Sequence, residues 1–180
     1  MKKEVFISVD IEASGPIPGE YDMLSFGMCR IDQPEVQFYC ELQPVSFKFN
    51  PKALEVAGFD LEELAKTGLE PATAMQNCTQ WLKENLLKSE TPIFVGLNAS
   101  FDWSFMNYYF HKYTGNNPFG VAALDLKSMY LGAFGSTWLE TRAKNMIEVL
   151  NPESRGNHNA LQDAIFQAEL FRLIMDKIKH

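Results

Sequence analysis

Val5-Phe6-Ile7-Ser8-Val9-Asp10-Ile11-Glu12-Ala13-Ser14-Gly15 is the stretch from which the fold can be read. Five of its seven residues from Val5 to Ile11 are large and apolar, the composition of a strand covered on both faces. Two carboxylates, Asp10 and Glu12, stand at its end. Side chains alternate along a strand, so residues spaced i and i+2 point to the same side. Two acidic groups aimed together at the end of a buried strand repel each other and lose hydration, which is costly unless a cation lies between them. A divalent metal is the simplest cation for that place. Ala13-Ser14-Gly15, followed by Pro16, Pro18 and Gly19, ends the strand and turns the chain.

The chain of 180 residues fits one domain, residues 1–180, with a substantial core. A composition that is 46% hydrophobic and 13% aromatic belongs to a folded globule. No apolar run reaches the length of a membrane span. Met1-Lys2-Lys3-Glu4 leads into an apolar run too short for a signal peptide, and Asp10 stands where a small-residue cleavage site would be needed. A cytoplasmic protein with no membrane attachment is the expectation. Cys29, Cys40 and Cys78 are odd in number and widely spaced, and read as reduced core residues. The net charge of −7 argues against broad, non-specific binding to nucleic-acid phosphates and leaves a local site open.

Residues 24–31 and 36–42 read as two further strands joined by a turn at Asp32, Gln33 and Pro34, so the fold should open as an antiparallel meander. Residues 51–57 and 60–66 read as short helices stopped by Gly58 and Gly68. A firmer helix starts at Pro71, with Met75, Cys78, Thr79, Leu82 and Leu86 on one face. Residues 92–97 read as a central strand, and Ser100 as the cap of a helix running to about Tyr113. Residues 121–126 read as a strand passing into a helix that ends near Gly132, and 137–150 as one helix. The last helix carries the stripe Leu161, Ala164, Ile165, Ala168, Phe171, Ile174, Met175 and Ile178. This order gives an α/β domain, a mixed central sheet with helices on both faces.

Two more acidic residues occupy first turns of helices. Asp102 follows Asn98-Ala99-Ser100-Phe101 at a strand-to-helix junction, and Asp163 lies beside the apolar stripe of the last helix. A helix N-terminus favours a negative side chain, and sites in open α/β sheets gather at such strand ends. His158 precedes Asp163 on the loop Gly156-Asn157-His158-Asn159-Ala160. Taken singly, each aspartate is explained by capping and the histidine by solvation. Taken together, four carboxylates can hold two divalent cations. Hard oxygen donors of this kind select Mg2+ or Mn2+ over zinc. Two such ions roughly 4 Å apart can clamp the attacking and leaving oxygens of a phosphodiester. A histidine, whose ordinary titration lies near neutrality, supplies a base for water.

Asp10-Ile-Glu12, Asn98-Ala-Ser-Phe101-Asp102 and His158-Asn-Ala-Leu-Gln-Asp163-Ala164 resemble the three exonuclease motifs of the DnaQ-like (DEDDh) 3′–5′ exonuclease superfamily. That group includes polymerase proofreading subunits, RNase T and oligoribonuclease. The resemblance spans Asp10 to Asp163. It implies a ribonuclease H-like fold, metal binding by Asp10, Glu12, Asp102 and Asp163, and His158 as general base. It further implies contacts to the terminal nucleotide from Glu12 and the nearby backbone at Ala13 and Ser14. Asn98 is a further candidate contact, and Phe101, adjacent to Asp102, is the aromatic candidate for stacking on an unpaired base. The pattern departs from the family at Ala13-Ser14, often two threonines, and at Leu97, commonly a histidine. Asp125 matches a frequent family aspartate and reads as structural.

The implied activity is removal of nucleoside monophosphates from the 3′ end of single-stranded RNA or DNA, with two divalent cations as cofactors. Two such ions would bring the formal charge from −7 to about −3. Arg142, Lys144 and Arg155 surround the His158 loop in sequence and are candidate backbone contacts, equally explained as a solvated face. Related enzymes are often dimers, so a homodimer is also implied, although no stretch marks an interface. The competing readings are a non-catalytic nucleic-acid or protein-binding module retaining the fold, and a metal-dependent phosphatase. Loss of any ligand would favour the module, and none is lost.

Overall fold

The computed structural model describes residues 2–179. The apolar run that opens the chain is the middle strand of a five-stranded sheet. Strand β1 (Lys3–Ala13) has antiparallel β2 (Met23–Arg30) on one side, which in turn pairs antiparallel with β3 (Gln37–Glu41). On its other side β1 runs parallel to β4 (Glu90–Gly96), and β4 runs parallel to β5 (Ala123–Asp125). The order is therefore β3-β2-β1-β4-β5, the mixed sheet anticipated from the meander and the two later strands.

Alternation along β1 sets the two layers. Val5, Ile7, Val9 and Ile11 face one core, shared with α3 (Pro71–Asn85) and α4 (Ser100–Thr114) through Met75, Leu82, Phe105, Met106 and Phe110. Phe6 faces the other core, built with α5 (Leu126–Phe134), α6 (Ala143–Leu150) and the long α7 (Ala160–Lys179). Each large apolar side chain buried this way contributes about 1.5–3 kcal/mol. By the same period of two, Asp10 and Glu12 fall on the α7 side of the sheet. Two short helices, α1 (Pro51–Ala57) and α2 (Leu61–Thr67), lie between β3 and α3. No helix of the described residues is long and apolar enough to cross a membrane.

Two local expectations are corrected. Ser100 does not cap α4: it is the first helical residue, the cap position is Ala99, and Ala99 N–H is bonded instead by Asp125 Oδ1 at 3.1 Å. Residues 137–150 are not one helix. Thr137 and Glu140 form a reciprocal capping box that winds Trp138–Thr141 into a 3-10 turn, and Arg142 is extended before α6 begins. The three cysteines are free and buried, as their apolar surroundings suggested, and burial pushes the Cys29 and Cys40 thiols up to about 12.

Candidate active site

Strand β1 overshoots its parallel neighbour. Its pairing with β4 stops at Ser8, whereas its pairing with β2 continues to Ala13. The segment from Asp10 to Glu12 therefore lacks a partner on the β4 side, and its buried backbone groups need other acceptors. Asp102, in the first turn of α4, supplies one: its Oδ1 accepts the Ile11 N–H at 3.1 Å. Asp102 is only 4% exposed, and burial raises its carboxyl to about 7, against the pull of that backbone bond.

Helix α7 brings the remaining groups, and Gly27 on β2 lets it do so. Gly27 is paired with Asp10 across the sheet. A Cβ at Gly27 would lie 2.3–2.5 Å from backbone atoms of Ala160 and Leu161. The bare backbone thus admits the start of α7 against the sheet, directly beside the β1 carboxylates. Asn159 caps this helix, its Oδ1 accepting the Gln162 N–H at 3.1 Å. Asp163 then folds back on the preceding loop, accepting the Asn157 N–H at 2.8 Å and the His158 N–H at 3.1 Å. His158 is exposed, with a left-handed φ of 61°. The loop that carries it is fastened by Asp163. Gly156 is needed there too, since a Cβ would sit 2.7 Å from Asp163 Oδ1.

The result is a convergence of all five motif residues. Ligand atoms of Glu12, His158 and Asp163 lie within 4.8 Å of one another. Asp10 sits among the charges of Asp102, Asp163 and Glu12, and burial followed by those charges raises its carboxyl well above the ordinary range. Glu12 is raised to about 8, chiefly by burial and then by Asp163 and Asp102. Carboxylates that hold one another's protons on in this way form a site short of positive charge. An all-oxygen donor set fits hard divalent cations, and the residues present suit them. A hollow of about 280 Å3 adjoins the group, lined by Asp10, Leu97, Ile147, His158, Asp163 and Phe166 among others.

Gln167 went unnoticed in the sequence. One turn after Asp163 on α7, it is 2% exposed, donates from Nε2 to Asp10 Oδ1 at 2.6 Å and accepts the Leu97 N–H at 2.8 Å. It holds Asp10 and the end of β4 at once. Its only signal was the i, i+4 spacing from Asp163, which places both on one helix face. Asp125 is structural as read: its carboxylate bonds Ala99 N–H, Ser128 N–H and the Ser128 hydroxyl, which outweigh its burial and lower its pKa.

The expected nucleotide contacts divide. Asn98 is exposed at a left-handed φ of 68°, and Phe101 is half-buried with its ring 5.2 Å from that of Phe105. Ala13 and Ser14 are buried. Ser14 Oγ is used inside the fold, accepting the Asp22 N–H at 3.0 Å and donating to the Lys48 carbonyl at 2.7 Å. Arg155 likewise bonds the carbonyls of Pro152 and Ser154 in its own loop.

Comparison with known proteins follows the same lines. The family model described as Exonuclease (RNase_T) matches residues 7–171. The chain is 54% identical over 176 residues to the 3′–5′ DNA exonuclease Cap18 of Escherichia coli, covering 98% of this chain and 94% of that protein. Among solved structures, the nuclease domain of 3′hExo, a DEDDh family member bound to rAMP, superposes with a TM-score of 0.77 at 13% identity, covering 96% of this chain and 92% of that one. E. coli Exonuclease I in complex with a dT13 oligonucleotide gives 0.71 at 17% identity, covering 98% of this chain and 41% of that one. At such identities the likeness is one of fold, and the fold is ribonuclease H-like. With the model matched from β1 into α7 and all five motif residues gathered at one pole of the sheet, the chain belongs to the exonuclease family, as a metal-dependent 3′–5′ exonuclease of the DEDDh group.

Proposed function

We propose that this protein removes nucleoside monophosphates one at a time from the 3′ end of single-stranded DNA, using two Mg2+ or Mn2+ ions. The observation that carries the reading is the convergence of Asp10, Glu12, Asp102 and Asp163, from three separate elements, beside His158. The 54% identity to a DNA exonuclease supports DNA over RNA as the preferred strand. Asp10, Glu12, Asp102 and Asp163 would hold the cations, which supply charge neutralisation and Lewis acidity at a phosphodiester. His158, exposed and close to Glu12 and Asp163, accepts the proton of the attacking water. Asp163 fixes the backbone of that histidine, and Gln167 fixes the carboxylate of Asp10. Glu12, half of the strand-end pair, also faces the terminal nucleotide.

The test incubates 5′-labelled single-stranded DNA and RNA of matched sequence with Mg2+ or Mn2+. Stepwise shortening is expected for both, faster for DNA, and absent for Asp102→Ala. A wild-type protein that binds the ions but leaves both strands intact would overturn the reading.

A further inference from the structure

Phe47 stands in a conformation that folding alone does not explain. Its φ is 56°, a left-handed value uncommon for a bulky side chain and costly without a compensating role. The conformation is held deliberately: the buried Asp22 carboxylate accepts the Ser46 N–H at 2.9 Å, the Ser46 hydroxyl at 2.9 Å and the Phe47 N–H at 3.2 Å through one oxygen, Oδ2. Yet the ring is not placed in a core. Phe47 keeps 47% of its surface exposed, and Phe49 keeps 49%. A ring left half exposed on a strained backbone gains less from burial than one placed in the core.

The location says what the ring is for. Strands β1 and β3 are both antiparallel to β2, so both end at the pole that carries the carboxylates. The segment 44–50 emerges there and is stitched to the end of β1: Ser14 Oγ donates to the Lys48 carbonyl at 2.7 Å, and the Asn50 N–H donates to the Ser14 carbonyl at 2.7 Å. Ser14 is two residues beyond Glu12. Ile17, on the neighbouring β1–β2 loop, is 52% exposed as well. The cation in this segment is already engaged, since Lys48 Nζ pairs with Glu20 and lies 5.0 Å over the Tyr21 ring. The patch therefore offers aromatic faces and little free charge.

We propose that Phe47 and Phe49 form a stacking platform for unpaired bases of the substrate strand, upstream of its 3′ terminus. This rests on the nuclease reading above and adds how the strand is gripped. Every base has a π-face, so stacking tolerates any sequence, and it requires unstacked bases, which favours single strands. It also suits a chain of net charge −7, which cannot hold a strand by phosphate contacts alone.

Phe47→Gly separates function from folding, because glycine adopts the left-handed conformation without strain. Two substrates are compared in wild type, Phe47→Gly and Phe49→Ala: single-stranded oligothymidylate and the p-nitrophenyl ester of thymidine 5′-monophosphate, both with Mn2+. Expected for each variant is a rise in KM for the oligomer of roughly 5- to 150-fold, the equivalent of one lost stacked base. KM for the ester and kcat on it should stay at the wild-type value, and the Tm of Phe47→Gly should be unchanged or higher. Unchanged oligomer KM in both variants would overturn the platform while leaving the nuclease reading intact. A lowered Tm with both substrates equally impaired would show a structural role and overturn it too. A wild type that cleaves the ester but never shortens the oligomer would overturn the nuclease reading, and the platform with it.

Discussion

Stripped of divalent cations, the protein should lose stability as pH rises from about 5 to 8. The cause is the carboxylate cluster. Asp102, ordinarily near 3.8, is raised to about 7 by burial, and Glu12, ordinarily near 4.5, to about 8 by burial and the charges of Asp163 and Asp102. Asp10 is raised as well. A carboxyl whose folded pKa lies above its unfolded one keeps a proton that the unfolded chain has released. Its stabilisation is complete below the unfolded pKa and is lost as pH climbs through the folded one. For Asp102 the rise corresponds to about 4 kcal/mol at full ionisation. The rises share their causes and do not add, so about 4 kcal/mol is the working figure for the cluster. At about 2–4 °C per kcal/mol for a chain of this size, Tm should fall by roughly 8–16 °C. Carboxylates held below their ordinary range by hydrogen bonds or basic neighbours, Asp32, Glu90, Asp125, Glu140 and Glu169, act on the acid side, losing their stabilisation only as pH drops below about 4. Maximum stability of the metal-free form therefore falls between about pH 4 and 5. Thermal melts of chelator-treated protein across this range test it, repeated with Mg2+ or Mn2+. The ions should recover most of the loss at pH 8 and change little at pH 5, where binding must displace protons. A metal-free Tm that is flat or rises from pH 5 to 8 would refute the reasoning.

Gln167→Met removes the donor to Asp10 and the acceptor of the Leu97 N–H, and should cost about 3 kcal/mol of stability. It should also weaken Mn2+ binding by roughly 10–100-fold, measured by titration calorimetry; unchanged affinity would deny Gln167 its positioning role. Gly27→Ala forces a methyl into the backbone of Ala160 and Leu161, displacing Asp163 and His158 together. Its kcat should fall at least about tenfold, since small misplacements are costly in catalysis, whereas a core variant such as Cys78→Ala with a comparable loss of Tm should keep its activity. His158→Ala should lower kcat by roughly 10²–10⁴-fold while Mn2+ affinity stays within a few-fold of wild type; an equal loss of both would make it a ligand and not a base.

The layer order and the five strands were legible because each rests on a local rule. Alternation in Val5–Ile11 placed Asp10 and Glu12 on one side, a strand-to-helix junction placed Asp102 in a first turn, and the apolar stripe of the last helix placed Asp163 at its start. What escaped depends on contacts made across the fold. Gln167 shares its helix face with Asp163, but nothing nearby in sequence reveals that its amide meets Asp10 from 157 residues away. Ser14 is buried because the segment around Lys48 returns to it, a contact made 34 residues away in sequence. Ser100 had the right chemistry for a cap and lost the position to Ala99, whose N–H is satisfied by Asp125 from a later strand. The break at Arg142 was available locally, in the Thr137-x-x-Glu140 spacing, beneath a continuous helical pattern. Gly27 reads as a weak point in a strand until the helix packed on it is seen.

The account stands on Asp10 and Glu12 being half of a metal-holding site that cuts nucleic acid from the 3′ end. The most direct measurement follows 5′-labelled single-stranded DNA with Mn2+, comparing wild type with Asp10→Asn at equal concentration. Wild type should give a ladder descending one nucleotide at a time while the label stays on the shortening strand, and Asp10→Asn should leave the strand at full length. An undiminished ladder from Asp10→Asn, or early release of the label from wild type, would contradict it.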